Sequence, residues 1–173
     1  MIKTNSLYKS PIIFLLVFLI LSIAPPAFSQ RLALVIGNAD YSAGPLSNPV
    51  NDAKDMKGVL KKLGFSVTIA LNGNRKEMRK AIRLFGRSLE KGDVGLFYYA
   101  GHAVEVGGKN YLIPIGEDIQ RVDEIVSVGV AIDEVINKMK SVRNETNLVF
   151  LDACRDNPYG ELFENMTLRD KRS

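Results

Sequence analysis

Val94-Gly95-Leu96-Phe97-Tyr98-Tyr99-Ala100-Gly101-His102 is a run without a charged side chain until it reaches its histidine. Over 94–99 its apolar residues are consecutive rather than alternating, the pattern of a strand covered on both faces. Residues 32–36 (Leu-Ala-Leu-Val-Ile) and 148–151 (Leu-Val-Phe-Leu) repeat it, and 65–71 forms a further strand ended by the turn pair Asn72-Gly73. Between the strands the period changes. Val50, Ala53, Met56, Leu60 and Leu63 share one face of a helix over 49–63, which Gly64 stops. Met78, Ile82, Phe85 and Leu89 form the stripe of a second helix over 75–91, with Asn74 as its N-cap and Glu77 completing a capping box. A third helix spans 132–142. Residues 104–106 and 110–113 flank Gly107-Gly108-Lys109 as a hairpin. Strands that alternate with helices predict crossover connections and a parallel sheet. The fold class is therefore α/β: an open, mostly parallel sheet with a helix layer on each face.

In open α/β sheets, sites form at the carboxyl ends of the strands. His102 follows the 94–99 strand and Cys154 follows the 148–151 strand, so both belong to the same edge. They are the one histidine and the one cysteine of the chain, so any thiol–imidazole chemistry has to use them. A free thiol is mostly protonated at neutral pH, and a neighbouring imidazole can take its proton and later give one to a leaving amine. The tetrahedral intermediate then needs backbone N–H donors. The N–H groups of Ala103 and Cys154 are the candidates. The loop over 37–48 leaves the first strand at this edge and delivers Asp52 to the first turn of the first helix. There the helix N-terminus also accounts for an acid. Asp152 points the same way as Cys154 if the strand continues; it could equally cap the next turn. Asp55 reads as a solvated helix residue.

Tyr98-Tyr99-Ala100-Gly101-His102 and Leu151-Asp152-Ala153-Cys154-Arg155 resemble the His and Cys motifs of the caspase and metacaspase superfamily. The Cys lies 52 residues after the His, against about 50 in the caspase signature. Residues 32–38, Asn51-Asp52-Ala53 and Asn110-Tyr111-Leu112-Ile113-Pro114 extend the resemblance to about residues 31–158. It implies a cysteine-type endopeptidase with a His102–Cys154 dyad, and no metal or cofactor in its chemistry, although calcium dependence is left open. Asp152 stands in place of the caspase Gln, as in metacaspases and paracaspases. Together with Asp52 it implies an acidic pocket for Arg or Lys. Ala103 stands where the family usually has Gly, and a left-handed backbone there would be costly. Asp156 replaces a further Gly. The resemblance also implies six main strands, where four are legible. The 148–151 strand is then expected at an open edge, the chain alone is expected to be a weak or silent enzyme, and a second caspase-like half or another copy of the chain is the implied partner.

The net charge of +4 falls to about +2 without Lys3 and Lys9, too little to argue for nucleic acid. Those lysines, the apolar run over 12–23, Pro25-Pro26 and the small Ala27 and Ser29 read as a signal peptide over 1–29, with the cut before Gln30. An exported, periplasmic or secreted protein is expected. The apolar run is shorter than the roughly 18 residues of a spanning helix, so a membrane contact requires an uncleaved leader. Residues 30–158 form the catalytic domain, and 159–173 are a polar tail or the start of a second half. Two other classes remain: a non-catalytic module that keeps the fold, and a nucleotide-binding domain. The latter lacks both a Gly-x-Gly-x-x-Gly and a P-loop Lys.

Overall fold

A computed structural model describes residues 29–144, 146–153 and 160. The elements run β1 (Arg31–Gly37), α1 (Pro49–Lys62), β2 (Ser66–Leu71), α2 (Arg75–Ser88), β3 (Val94–Gly101), β4 (Ala103–Val106), β5 (Lys109–Leu112), α3 (Val122–Val128), β6 (Val130–Ala131), α4 (Ile132–Ser141) and β7 (Thr146–Ala153). β1, β2, β3 and β7 make one parallel sheet in the order β2-β1-β3-β7, and β4, β5 and β6 make a smaller one. This is the expected α/β architecture.

The consecutive apolar residues of β1 and β3 are explained by two cores, one on each face of the sheet. Leu32, Leu34 and Ile36 join Phe97 and Tyr99 beneath α2 and α4, against Met78, Ile82, Phe85, Val135 and Met139. Ala33 and Val35 join Leu96, Tyr98 and Ala100 beneath α1, against Ala53 and Leu60. Successive side chains of one strand thus feed opposite cores, as the period of two requires. A third cluster, Tyr41, Val104, Tyr111, Ile113, Ile119 and Ile125, lies under the hairpin.

Local signals act where expected. Asn74 Oδ1 accepts from Glu77 N (3.0 Å) and Glu77 Oε2 accepts from Asn74 N (2.9 Å), the reciprocal capping box. Gly107 (φ 60°) and Gly108 (φ 75°) are both left-handed, as a two-residue hairpin turn demands, so Lys109 belongs to β5.

Other expectations need correction. Leu63 is not on the buried face: it caps α1 and is 55% exposed. α2 stops at Ser88, not at residue 91, because Asp93 takes over the chain beyond it. Its carboxylate accepts from Glu90 N (2.8 Å) and, across the sheet, from Gln30 N (2.8 Å). Helix α3 and strand β6 were not anticipated. α3 has seven residues, too few for a period to show, and it starts where the Glu124 carboxylate accepts from Gln120 N and Arg121 N. β6 has two residues and exists only by pairing with β5.

β7 pairs with β3 on one side and is the last strand of its sheet. Leu148, Val149, Phe150 and Leu151 are 36–50% exposed.

Candidate active site

β3 carries two kinds of residue to the sheet's carboxyl edge. Its register with β7 pairs Ala100 with Asp152 and Gly101 with Ala153, the residues that immediately precede His102 and Cys154 in sequence. The neighbouring strands that lead to the two candidate catalytic residues therefore end in register. Cys154 itself lies outside the described residues, as does Asp156.

His102 is 3% exposed. Its Nε2 lies 2.6 Å from the carbonyl oxygen of Gly44, in the loop between β1 and α1. A carbonyl only accepts, so Nε2 donates, and the lone pair of the neutral ring is on Nδ1. Burial holds the imidazole pKa below its ordinary value, with the Gly44 bond opposing that effect in part. At neutral pH the ring is uncharged, the form able to take a proton.

The chain can turn into His102 only because residue 101 is glycine. Its φ is +151°, and a Cβ there would lie 2.6 Å from the Tyr41 hydroxyl and 2.7 Å from that of Tyr99. After the histidine the backbone is ordinary. Ala103 lies in β4 and has no positive φ, so the feared cost of alanine is not incurred. Ile113 N donates to His102 O (3.0 Å), which makes Ala103 and Leu112 a non-hydrogen-bonded pair. The Ala103 N–H therefore points away from β5 and is outside that ladder.

Both acids act on one residue, Tyr98, Asp152 through a bond and Asp52 through its charge. Asp152 Oδ2 accepts from the buried Tyr98 hydroxyl at 2.9 Å. Asp52, in the first turn of α1, reaches the same phenol with its charge. The Tyr98 pKa is pushed well up, first by burial, then by the Asp152 bond and the charges of Asp152 and Asp52. Gly37 sets this placement: a Cβ there would run into the Pro49 carbonyl and sit 2.7 Å from Ala53 Cβ, so glycine lets the start of α1 lie against the end of β1. Asp55 is exposed on α1 and takes no part.

Tyr41, Gly44, Tyr98 and Tyr99 were missed as site residues. Tyr98 and Tyr99 had a signal: a phenol in a strand buried on both faces has a hydroxyl that needs a partner. Gly44 had none, because it acts through a carbonyl that every residue has.

The family described as the caspase domain matches residues 30–172. The chain belongs to the caspase domain family. Among its relatives is the human mucosa-associated lymphoid tissue lymphoma translocation protein 1, 32% identical over 132 residues, 75% of this chain and 16% of the human protein. Mouse caspase-1 is 26% identical over 147 residues, 81% of this chain and 35% of its own length. The caspase domain described here thus spans a minor part of either relative. A solved structure, protein GSU0716 from Geobacter sulfurreducens, shares the fold with a TM-score of 0.53 and 21% identity, over 82% of this chain and 55% of that one.

Proposed function

We propose that this chain is a cysteine endopeptidase that cleaves proteins or peptides after Arg or Lys, with Cys154 as nucleophile and His102 as base. The observation that carries the reading is the fixed imidazole. Nε2 donates to Gly44 O, and the ring follows a strand paired in register with the one that leads to Cys154. In this reading Nδ1 takes the thiol proton, and the thiolate sulfur attacks the scissile carbonyl carbon. The Ala103 and Cys154 N–H groups hold the resulting oxyanion. On collapse the C–N bond breaks and His102 protonates the leaving amine. Water, deprotonated by the same ring, then hydrolyses the thioester.

Asp152 and Asp52 form the walls of the specificity pocket, and Tyr98 fixes one oxygen of Asp152 so that the carboxylate faces a basic side chain in one orientation. The chemistry requires no cofactor, and turnover that survives a chelator would agree with that. The protein is exported, with residues 1–29 removed; the mass of the mature chain checks it. The experiment for the core proposal is a fluorogenic panel with Arg, Lys, Asp and Leu before the scissile bond. Faster hydrolysis of the Asp peptide than of the Arg peptide would sink the pocket assignment.

A second reading is favoured by β7. Among the described residues β7 is an apolar strand with one unpaired edge, and such an edge recruits a partner. In that case the chain alone is silent or weak, and activity or an interaction role appears when a second caspase-like half or another copy covers β7. Assay across a range of concentrations, with sizing chromatography alongside, separates the two. A monomer with robust turnover overturns the second reading.

A further inference from the structure

His102 is held by more than its side chain. Its backbone N–H donates to the Tyr41 hydroxyl (3.0 Å), and its carbonyl accepts from the Tyr99 hydroxyl (2.7 Å). The two phenol oxygens are 3.1 Å apart, and both lie 3.2 Å from the carbonyl oxygen of Ile113. Gly101 passes beside both oxygens, where a methyl group would not fit. The Tyr41 ring also lies 4.4 Å, centroid to centroid, from the imidazole. Three residues further along the same loop, the Gly44 carbonyl accepts the hydrogen bond from Nε2–H. This loop is closed by Leu46 N donating to Ala39 O (3.0 Å) and tied to the next turn by Ala39 N donating to Asn72 Oδ1 (2.9 Å). Tyr41 and Gly44 are thus presented to the histidine by one anchored segment.

We propose that Tyr41 and Tyr99 are positioning residues for His102, a pair of phenols that clamp the peptide groups on both sides of the imidazole and so keep its ring against Gly44 in the Nε2–H tautomer. The inference rests on His102 being the base. The chemical reason is reach. An imidazole ring turns about two side-chain bonds, and neither the Gly44 bond nor the Ile113 N bond to its carbonyl holds the peptide N–H side of His102. Misplacement of a reacting group by about 1 Å can cost about a hundredfold in rate. Two hydroxyls that fix the backbone, with the tilted Tyr41 ring beside the imidazole, remove that freedom. Neither phenol needs to touch the substrate for this.

The test uses the full chain with Tyr41→Phe, Tyr99→Phe, Tyr41→Leu and His102→Ala. Two readouts are unambiguous because the chain has one cysteine and one histidine. One is the rate at which iodoacetamide alkylates Cys154 in folded protein at pH 6.5, and the other is the His102 tautomer from its ring nitrogen shifts. Expected is a parent in the Nε2–H tautomer with fast alkylation. Each Phe variant should show a mixture of tautomers and alkylation about fivefold slower, the scale set by losing one hydrogen bond. Tyr41→Leu, which also removes the ring contact, should fall further. Phe variants that keep both the parent tautomer and the parent rate overturn the clamp, while a slow His102→Ala leaves the dyad standing. A His102→Ala as reactive as the parent overturns the dyad and the clamp together. Should Tyr99→Phe fail to fold, Tyr41→Phe, a loop substitution, carries the test.

Discussion

The two sides of the candidate site are built to different standards. On the β3 side His102 is buried, its backbone N–H and carbonyl are both bonded to phenols, and its ring is tied to Gly44. On the β7 side, among the described residues, the strand has one neighbour, its four apolar residues are a third to a half exposed, and Asp152 is held by one bond from Tyr98. The candidate base is thus held by the interior of the sheet, whereas the strand leading to the proposed nucleophile has, among the described residues, one unpaired edge.

The largest effects break the site itself. His102→Ala and Cys154→Ala should each lower turnover by about a thousandfold or more while the chain still unfolds cooperatively, because the chain contains no second imidazole or thiol. Measurable turnover by purified Cys154→Ala ends the dyad assignment.

Next come two phenylalanines from neighbouring strands. Phe97 on β3 is fully buried and Phe150 on β7 is half-exposed. Phe97→Ala should cost about 3–5 kcal/mol in denaturant unfolding, as core truncations do. Phe150→Ala should cost under about 1 kcal/mol and reduce self-association. Equal costs would mean that β7 is covered in solution. Gly101→Ala belongs between them, at about 2–3 kcal/mol, since it combines a strained φ with a clash against both phenol oxygens.

The pocket effects are smaller. Asp152→Ala should erase the preference for Arg peptides at unchanged folding. Tyr98→Phe should raise the KM for an Arg peptide about fivefold, the value of one hydrogen bond, with kcat nearly unchanged. A KM equal to the parent's would show that Asp152 needs no support from β3.

The smallest effect is on pH. The folded His102 pKa lies below its ordinary 6.5, so the unfolded chain binds the proton more tightly. Stability is then full above 6.5 and falls with pH from 6.5 down to the folded value, where the loss levels off. His102→Gln should flatten that slope, and the single imidazole resonance should titrate below 6.5. A midpoint above 6.5 would show a solvated or ion-paired ring in place of the buried one.

Much of this was legible because it depends on near neighbours. The capping box of Asn74 and Glu77 needs three residues of separation, and the Gly107-Gly108 turn needs two. The stripe of Met78, Ile82, Phe85 and Leu89 is buried as its spacing predicts. Where neighbours compete, legibility fails. Leu63 has the right spacing for the buried face, yet the helix ends on it; β6 has no pattern of its own and borrows its identity from β5.

By itself, the sequence determined which residues are available for thiol–imidazole chemistry, since a lone His and a lone Cys leave no alternatives, and that both follow apolar strands; that β3 is buried while the apolar residues of β7 are a third to a half exposed was decided by the fold. Only the tertiary structure decided how the histidine is oriented. The Gly44 carbonyl is 58 residues away and the Tyr41 hydroxyl 61. A carbonyl is common to every residue and a phenol can bond in many directions, so neither declares its partner until the chain is folded. The same holds for Tyr98. Its bond to Asp152 and the influence of the Asp52 charge on it follow from the order β1-β3-β7 and from α1 lying over that face, facts of packing that no local pattern encodes.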